Sequence, residues 1–289
     1  MWEQIWHIIY HALIDSLWLL PFLFVTYLGM ELLEHKAGDK VQSVISRAGR
    51  AGPILGGLVG LIPQCGFSAA SAGLFAGGII TPGTLLAVFL ATSDEMLPIF
   101  IGSNVQPLKI ITVLVIKLLV AVAFGLIFDL LFAKKRDKLE ISELCEEENC
   151  HCEERGIWLS SLIHTVQIFA FVLVINIALT AAFELVGEQN IADVIGKLPV
   201  LDVMLAALVG LIPNCAASVL IATLWTKGII SGGAMIGGLL TGAGAGLLVL
   251  YRTNKRIKEN LLLTATLLLV GIVAGVMLEI SGLAALLGI

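Results

Sequence analysis

The phrase Val59-Gly60-Leu61-Ile62-Pro63-Gln64-Cys65 returns as Val209-Gly210-Leu211-Ile212-Pro213-Asn214-Cys215, at a constant offset of 150 residues in a chain of 289. A chain written twice must fold as two related halves. The register continues without a gap: Ser68 meets Ser218, Gly78-Ile79-Ile80 meets Gly228-Ile229-Ile230, Gly83 meets Gly233, and Asp129 meets Glu279. Upstream, a three-residue shift sets His11 on His164 and Glu31 on Glu184. The sequence thus divides into residues 1–133, a linker 134–156, and residues 157–289.

Hydrophobic residues make up 58% of the chain and charged residues 13%, with a mean hydropathy of +1.00, which leaves too little polar surface to cover a soluble globule. The expected solvent is a bilayer. Ala12 to Leu33, Gly83 to Gly102, Ile110 to Phe132, Ile157 to Leu185, Gly232 to Leu250 and Leu261 to Leu287 are each long enough to cross a hydrocarbon core of about 30 Å as a helix. No cleavable leader is legible at the N-terminus, so the first apolar segment is expected to be a span. The net charge of −5 is concentrated in the linker and gives no indication of nucleic acid as a partner.

Basic residues in short loops mark the cytoplasmic side. Lys36, Lys40, Arg47 and Arg50 crowd one loop of the first half, whereas its counterpart between Gln189 and Asp202 holds only Lys197. Conversely, the loop Ser103 to Lys109 has one lysine and its counterpart has Arg252, Lys255, Arg256 and Lys258. This reversal predicts an inverted-topology repeat, with an odd number of crossings per half. Oddness is satisfied if Gly52 to Gly78 and Leu205 to Gly228 enter and leave on one side, as re-entrant hairpins broken at Pro63 and Pro213; two ordinary helices kinked at those prolines are the competing expectation. The expected fold is therefore all-α and polytopic, each half with three full spans and one hairpin, ten helices in all. The linker is expected to be cytoplasmic and both termini external.

Irregular backbone at membrane depth is tolerated only inside protein or beside a water-filled cavity, and such places bind substrates. Gln64, Cys65 and Ser68, with Asn214, Cys215 and Ser218, are therefore the candidate substrate residues, supplying amides, thiols and hydroxyls. Asp94 and Glu95 are the sharpest unduplicated signal, because their counterparts are Gly244 and Ala245 and a carboxylate inside a span is costly unless paired, protonated or hydrated. Lys117 is the expected partner of one of them, and the three form a candidate coupling or ion site. A structural salt bridge is the competing expectation. Metal ligands would come from Cys65 and Cys215 for a soft ion, or from Asp94 and Glu95 for a hard one. His11, Asp15, His164, Asp129 and Glu279 lie at span ends, where polar groups commonly anchor, and are secondary candidates.

The linker carries Cys145, Cys150, His151 and Cys152 among carboxylates. They are candidates for capturing a soft cation, although the spacing matches no standard zinc module and a solvated acidic linker is the plainer expectation. No Gly-x-x-x-x-Gly-Lys-Ser/Thr phosphate loop occurs, no nucleophile and base recur at a catalytic spacing, and nothing resembles a selectivity ring. A carrier is expected, neither an enzyme nor a channel, and no cofactor is implied.

The run Leu61-Ile62-Pro63-Gln64-Cys65-Gly66-Phe67-Ser68, with Gly78-Ile79-Ile80-Thr81-Pro82-Gly83, Ala91-Thr92-Ser93-Asp94-Glu95 and Leu211-Ile212-Pro213-Asn214-Cys215, resembles the ten-helix heavy-metal exporter family. Members of that family carry the labels arsenic efflux protein and manganese transporter. The Pro-x-Cys phrase is also similar, over few residues, to an element of the organoarsenical permeases. The resemblance implies export of a metal or metalloid, and the leading expectation is a secondary transporter in a prokaryotic plasma membrane that works in exchange for protons. A carrier of small organic solutes or anions with the same hairpins is the alternative, and a homodimer is compatible with either.

Overall fold

The computed structural model describes residues 51–93, 96–132, 157–186 and 201–282, with eight scattered helical positions between 17 and 28. Asp94, Glu95, His11, Asp15 and the linker with Cys145, Cys150, His151 and Cys152 lie outside the described residues, as does the side chain of His164. The described residues form helices and turns without a strand. In the first half these are α1 (Gly52–Gly60), α2 (Cys65–Ala76), α3 (Pro82–Ala91), α4 (Met96–Gly102) and α5 (Pro107–Phe132). After α6 (Ile157–Val186) come α7 (Leu201–Gly210), α8 (Cys215–Thr226), α9 (Gly232–Thr241), α10 (Ala245–Thr253) and α11 (Ile257–Ile280).

Helix starts obey the sequence offset. Cys65 and Cys215, Pro82 and Gly232, and Pro107 and Ile257 each open a helix. The ends are built alike too. Gly78 and Gly228 adopt φ of +72° and +70°, and the amides of Ile79 and Ile229 reach back to Leu74 and Leu224 at 2.9 Å, the Schellman closure that favours glycine.

Five segments are long and apolar enough to cross a membrane: Pro82–Gly102, Pro107–Phe132, Ser161–Leu179, Gly232–Thr253 and Ile257–Ile280. They correspond to five of the six spans expected from the sequence, and the chain is a multi-pass membrane protein. Two of the five are not continuous helices. The first is interrupted between α3 and α4, the second at Gly242 to Gly244, where Gly244 takes φ 53°. Thr92, Ser93 and Thr241 bond back to carbonyls of Val88, Ala91 and Gly238 near the breaks.

Those two interrupted spans are 69% and 94% buried, whereas the uninterrupted ones are 28%, 24% and 33% buried. The irregular backbone is thus buried within protein, with the continuous helices α5, α11 and α6 packed on α3, α9 and α10, as the cost of unpaired peptide groups in hydrocarbon requires. Leu108, Leu130, Leu131 and Ile280 cover the outside with apolar surface. Close crossings of small residues hold the inner helices to the outer: a Cβ on Gly125 would stand 2.7 Å from the Gly83 carbonyl, and one on Gly275 2.6 Å from that of Gly233.

Candidate functional site

The two Pro-x-Cys phrases form the same turn. The Gln64 amide donates to the Ile62 carbonyl across Pro63 at 2.7 Å, and the Asn214 amide to Ile212 across Pro213 at 2.7 Å. Proline cannot supply the amide that would continue the helix, so α1 and α7 stop short and a new helix starts two residues later. With nine and twelve residues, α1 and α2 reach about 14 and 18 Å at 1.5 Å per residue, well short of a crossing.

Gln64 and Asn214 act as N-caps of α2 and α8. The Gln64 side-chain oxygen accepts from the Gly66 amide, and the Asn214 Oδ1 accepts from the Ala216 amide at 2.8 Å. One oxygen of each carboxamide is therefore committed to its own helix. Cys65 and Cys215 follow as the first helical residues, half-buried and outside any disulfide. The Ser68 hydroxyl donates to the Cys65 carbonyl at 2.8 Å, one turn in, and is buried.

The halves interlock at these helices. The helix α2 packs on α10 of the other half, and α8 on α4, where Phe100 and Trp225 meet with ring centroids 4.7 Å apart. The interruption and the first turn of α10 touch the helices after both turns: a Cβ on Gly246, in α10, would lie 2.8 Å from that of Ser68, and a Cβ on Gly242, in the interruption, 3.0 Å from the Ser218 hydroxyl. Ser68 and Ser218 are thereby brought against one short stretch of the second half.

Lys117, on α5, is fully buried. Its ammonium donates to the Thr92 carbonyl, at the end of α3, and to the Leu239 carbonyl of α9 at 2.8 Å. Leu239 owes its vacant lone pair to the break, since Ala243, the residue that would have closed that turn, turns to Thr241 instead. The lysine thus neutralises the negative ends of two interrupted helices, one from each half. An acidic partner was the sequence expectation. The described partners are carbonyls that the breaks expose, and Asp94 and Glu95 stand in the undescribed residues beside Thr92 and Ser93.

Among the described residues no group of three or more histidine, cysteine or acidic side chains converges as a metal ion would require. Of the residues named from sequence, Ser68, Ser218 and Lys117 are drawn to the interrupted span of the second half. Thr92, Ser93 and Thr241 were passed over, as hydroxyl residues inside apolar runs carry no signal of their own.

Neither curated proteins nor solved structures gave a match to this chain. The model of one family, described as "Putative, 10TM heavy-metal exporter", matches residues 4–188. The matched stretch includes the Pro63 turn, the α3–α4 interruption and Lys117, while the Pro213 turn is tied to it through the internal repeat. With nearly two thirds of its length matched, this multi-pass membrane protein belongs to that heavy-metal exporter family.

Proposed function

We propose that the chain is a secondary transporter that exports a metal or metalloid, manganese or an arsenical, in exchange for protons, from a site bounded by the Pro63 and Pro213 turns and the two span interruptions. The observation that carries this reading is the joining of interrupted helices from both halves through Lys117, inside the most buried part of the molecule. Polar backbone is placed there at considerable cost, and a transported solute is the usual return. The two halves act as an inverted repeat whose short helices α1–α2 and α7–α8 enter from opposite faces. In support, helix starts recur at one offset and the halves exchange α2–α10 and α8–α4 contacts.

In this reading Cys65 and Cys215 bind a soft metalloid, with Gln64, Asn214, Ser68 and Ser218 lining the path, while Asp94 and Glu95 bind a harder ion or the coupling proton beside Lys117. A second reading is favoured by a separate observation. The starts of α2 and α8, which follow the two Pro-x-Cys turns, present positive helix ends, which suits a small organic anion.

Efflux from everted vesicles under an imposed proton gradient tests both. Manganese(II), cadmium(II), arsenite, methylarsenite and a panel of carboxylates are offered to the wild type, to Cys65→Ser/Cys215→Ser and to Asp94→Asn. Arsenical transport lost in the double serine variant identifies the thiols, and manganese transport lost with Asp94→Asn identifies the acids. Carboxylate transport without any metal transport replaces the first reading by the second.

A further inference from the structure

The starts of α3 and α9 are the same place in the two halves, finished differently. At α3 the carboxylate of Asp129, from the end of α5, accepts from the Gly83 amide at 2.7 Å and from the Thr81 hydroxyl at 2.6 Å. The Thr84 hydroxyl lies 2.7 Å from that of Thr81 and fills the space over Gly52, where a Cβ would collide with it. One acid is present, and both of its oxygens have donors.

At α9 Gly83 is kept as Gly233 and the other four residues are exchanged. Glu279 replaces Asp129 and accepts from the Gly233 amide at 3.1 Å; Ser231 replaces Thr81, Ala234 replaces Thr84, and Asp202 replaces Gly52. Loss of the threonine side chain clears the volume that the Asp202 carboxylate then occupies. Asp202 is 5% exposed, its Oδ2 reaches the Ser231 amide only at 3.4 Å, and its Oδ1 has no hydrogen-bond partner. Asp202 and Glu279 thus reach amides two residues apart, Ser231 and Gly233, at the start of one helix. Among the described residues no cation offsets the two: α9 carries no ionisable side chain, and Lys227 after α8 is exposed and paired with neither acid. Cys215 opens α8, and Lys258 and Glu259 lie in the first turn of α11, away from Glu279 near its end.

Two neighbouring carboxylates, one with a buried oxygen lacking a donor, are short of one positive charge. A metal ion would ask for several more oxygen ligands, and no such group is assembled among the described residues. We propose that Asp202 and Glu279 form a proton-binding carboxyl pair, present in the second half alone, with the proton on Oδ1 of Asp202. The proton supplies the donor that Oδ1 lacks and removes one of the two negative charges at the start of α9. Its release places a second negative charge at the start of α9, the helix whose carbonyl at Leu239 is held by Lys117. A role for this proton in driving export rests on the exchange mechanism proposed above; its binding does not.

Infrared spectra of the purified full-length protein test the pair through the carbonyl stretch of protonated carboxyl groups. At neutral pH the wild type is expected to show a component that disappears on alkalinisation. Asp202→Asn should lack it, as should Asp202→Gly/Ala234→Thr, which transplants the first-half arrangement and so guards against a folding defect. Asp129→Asn should retain it. A wild-type spectrum with no protonated carboxyl at neutral pH, or a component unchanged in both Asp202 variants, overturns the proposal. Proton-driven efflux measured on the same variants separates binding from coupling: the component lost with efflux unchanged upholds the proton site and removes it from the transport cycle.

Discussion

The ammonium of Lys117 donates to the carbonyl of Leu239 at 2.8 Å, across 122 residues of sequence and from one half of the repeat to the other. A buried cation that caps exposed carbonyls is a structural member as much as a functional one. Lys117→Met keeps the length of the side chain and removes the charge, leaving the Thr92 and Leu239 carbonyls without that donor. Each orphaned group costs about 1–3 kcal/mol. A marked fall in thermal unfolding temperature is expected in detergent, together with loss of transport in vesicles. A variant of wild-type stability would show that those carbonyls find other donors and that the lysine serves transport alone.

The approach of α10 to α2 depends on Gly246. A Cβ there meets the Ser68 side chain and the Phe89 ring, both at 2.8 Å and both on packed elements. Gly246→Ala should therefore overpack the interface between the halves, at a cost of about 1–3 kcal/mol. Gly242→Ala meets only the Ser218 hydroxyl at 3.0 Å as its nearest neighbour, a group that can rotate, and should cost less. Unfolding temperatures of the two variants give the ranking, and the reverse order would contradict the described packing.

Gly78 and Gly228 offer a test of the duplication that involves no packing at all. Nothing lies within 4 Å of a Cβ at either position, so alanine there is penalised only for its left-handed backbone. Each substitution should cost about 1–2 kcal/mol, and by a similar amount in the two halves. Unequal losses in unfolding temperature would show that the two turns, alike in geometry, carry different loads.

The turns at Pro63 and Pro213 were legible because proline states its effect locally: no amide, and no room for the preceding turn. The interruptions within Pro82–Gly102 and Gly232–Thr253 were not. An apolar run of span length reads as one helix, and Gly242 to Gly246 reads as a surface for close packing, which it also is. What accompanies the ends of α3 and α9 is partly tertiary: the Thr241 hydroxyl donates to the Ala207 carbonyl of α7, and an ammonium arrives from α5. The two carbonyl partners of Lys117 could not be foreseen for the same reason, since the breaks are what leave those carbonyls open to it; Asp94 and Glu95, the acids expected beside it, lie outside the described residues. Asp129 and Glu279 were placed at span ends and read as anchors, whereas the amides of Gly83 and Gly233 that they cap lie 46 positions away in sequence. Asp202 was counted as a loop boundary, because nothing in a single acid beside an apolar run signals that its oxygen is buried.

The carboxamides of Gln64 and Asn214 have two possible duties, and serine separates them. Serine caps a helix about as well as asparagine does, while alanine at such a position costs roughly 0.5–2 kcal/mol. Gln64→Ser and Asn214→Ser should therefore unfold close to the wild-type temperature, and the alanine variants below it. With the single side-chain oxygen of each engaged by its own helix, the nitrogen donors are the groups that serine removes. If those donors bind substrate, the serine variants keep their stability and raise the KM for efflux by tenfold or more, a loss of about 1.4 kcal/mol per decade. Serine variants with both wild-type stability and wild-type KM would confine Gln64 and Asn214 to capping, and would leave Cys65, Cys215 and the two serines as the side chains of the turns available to the solute.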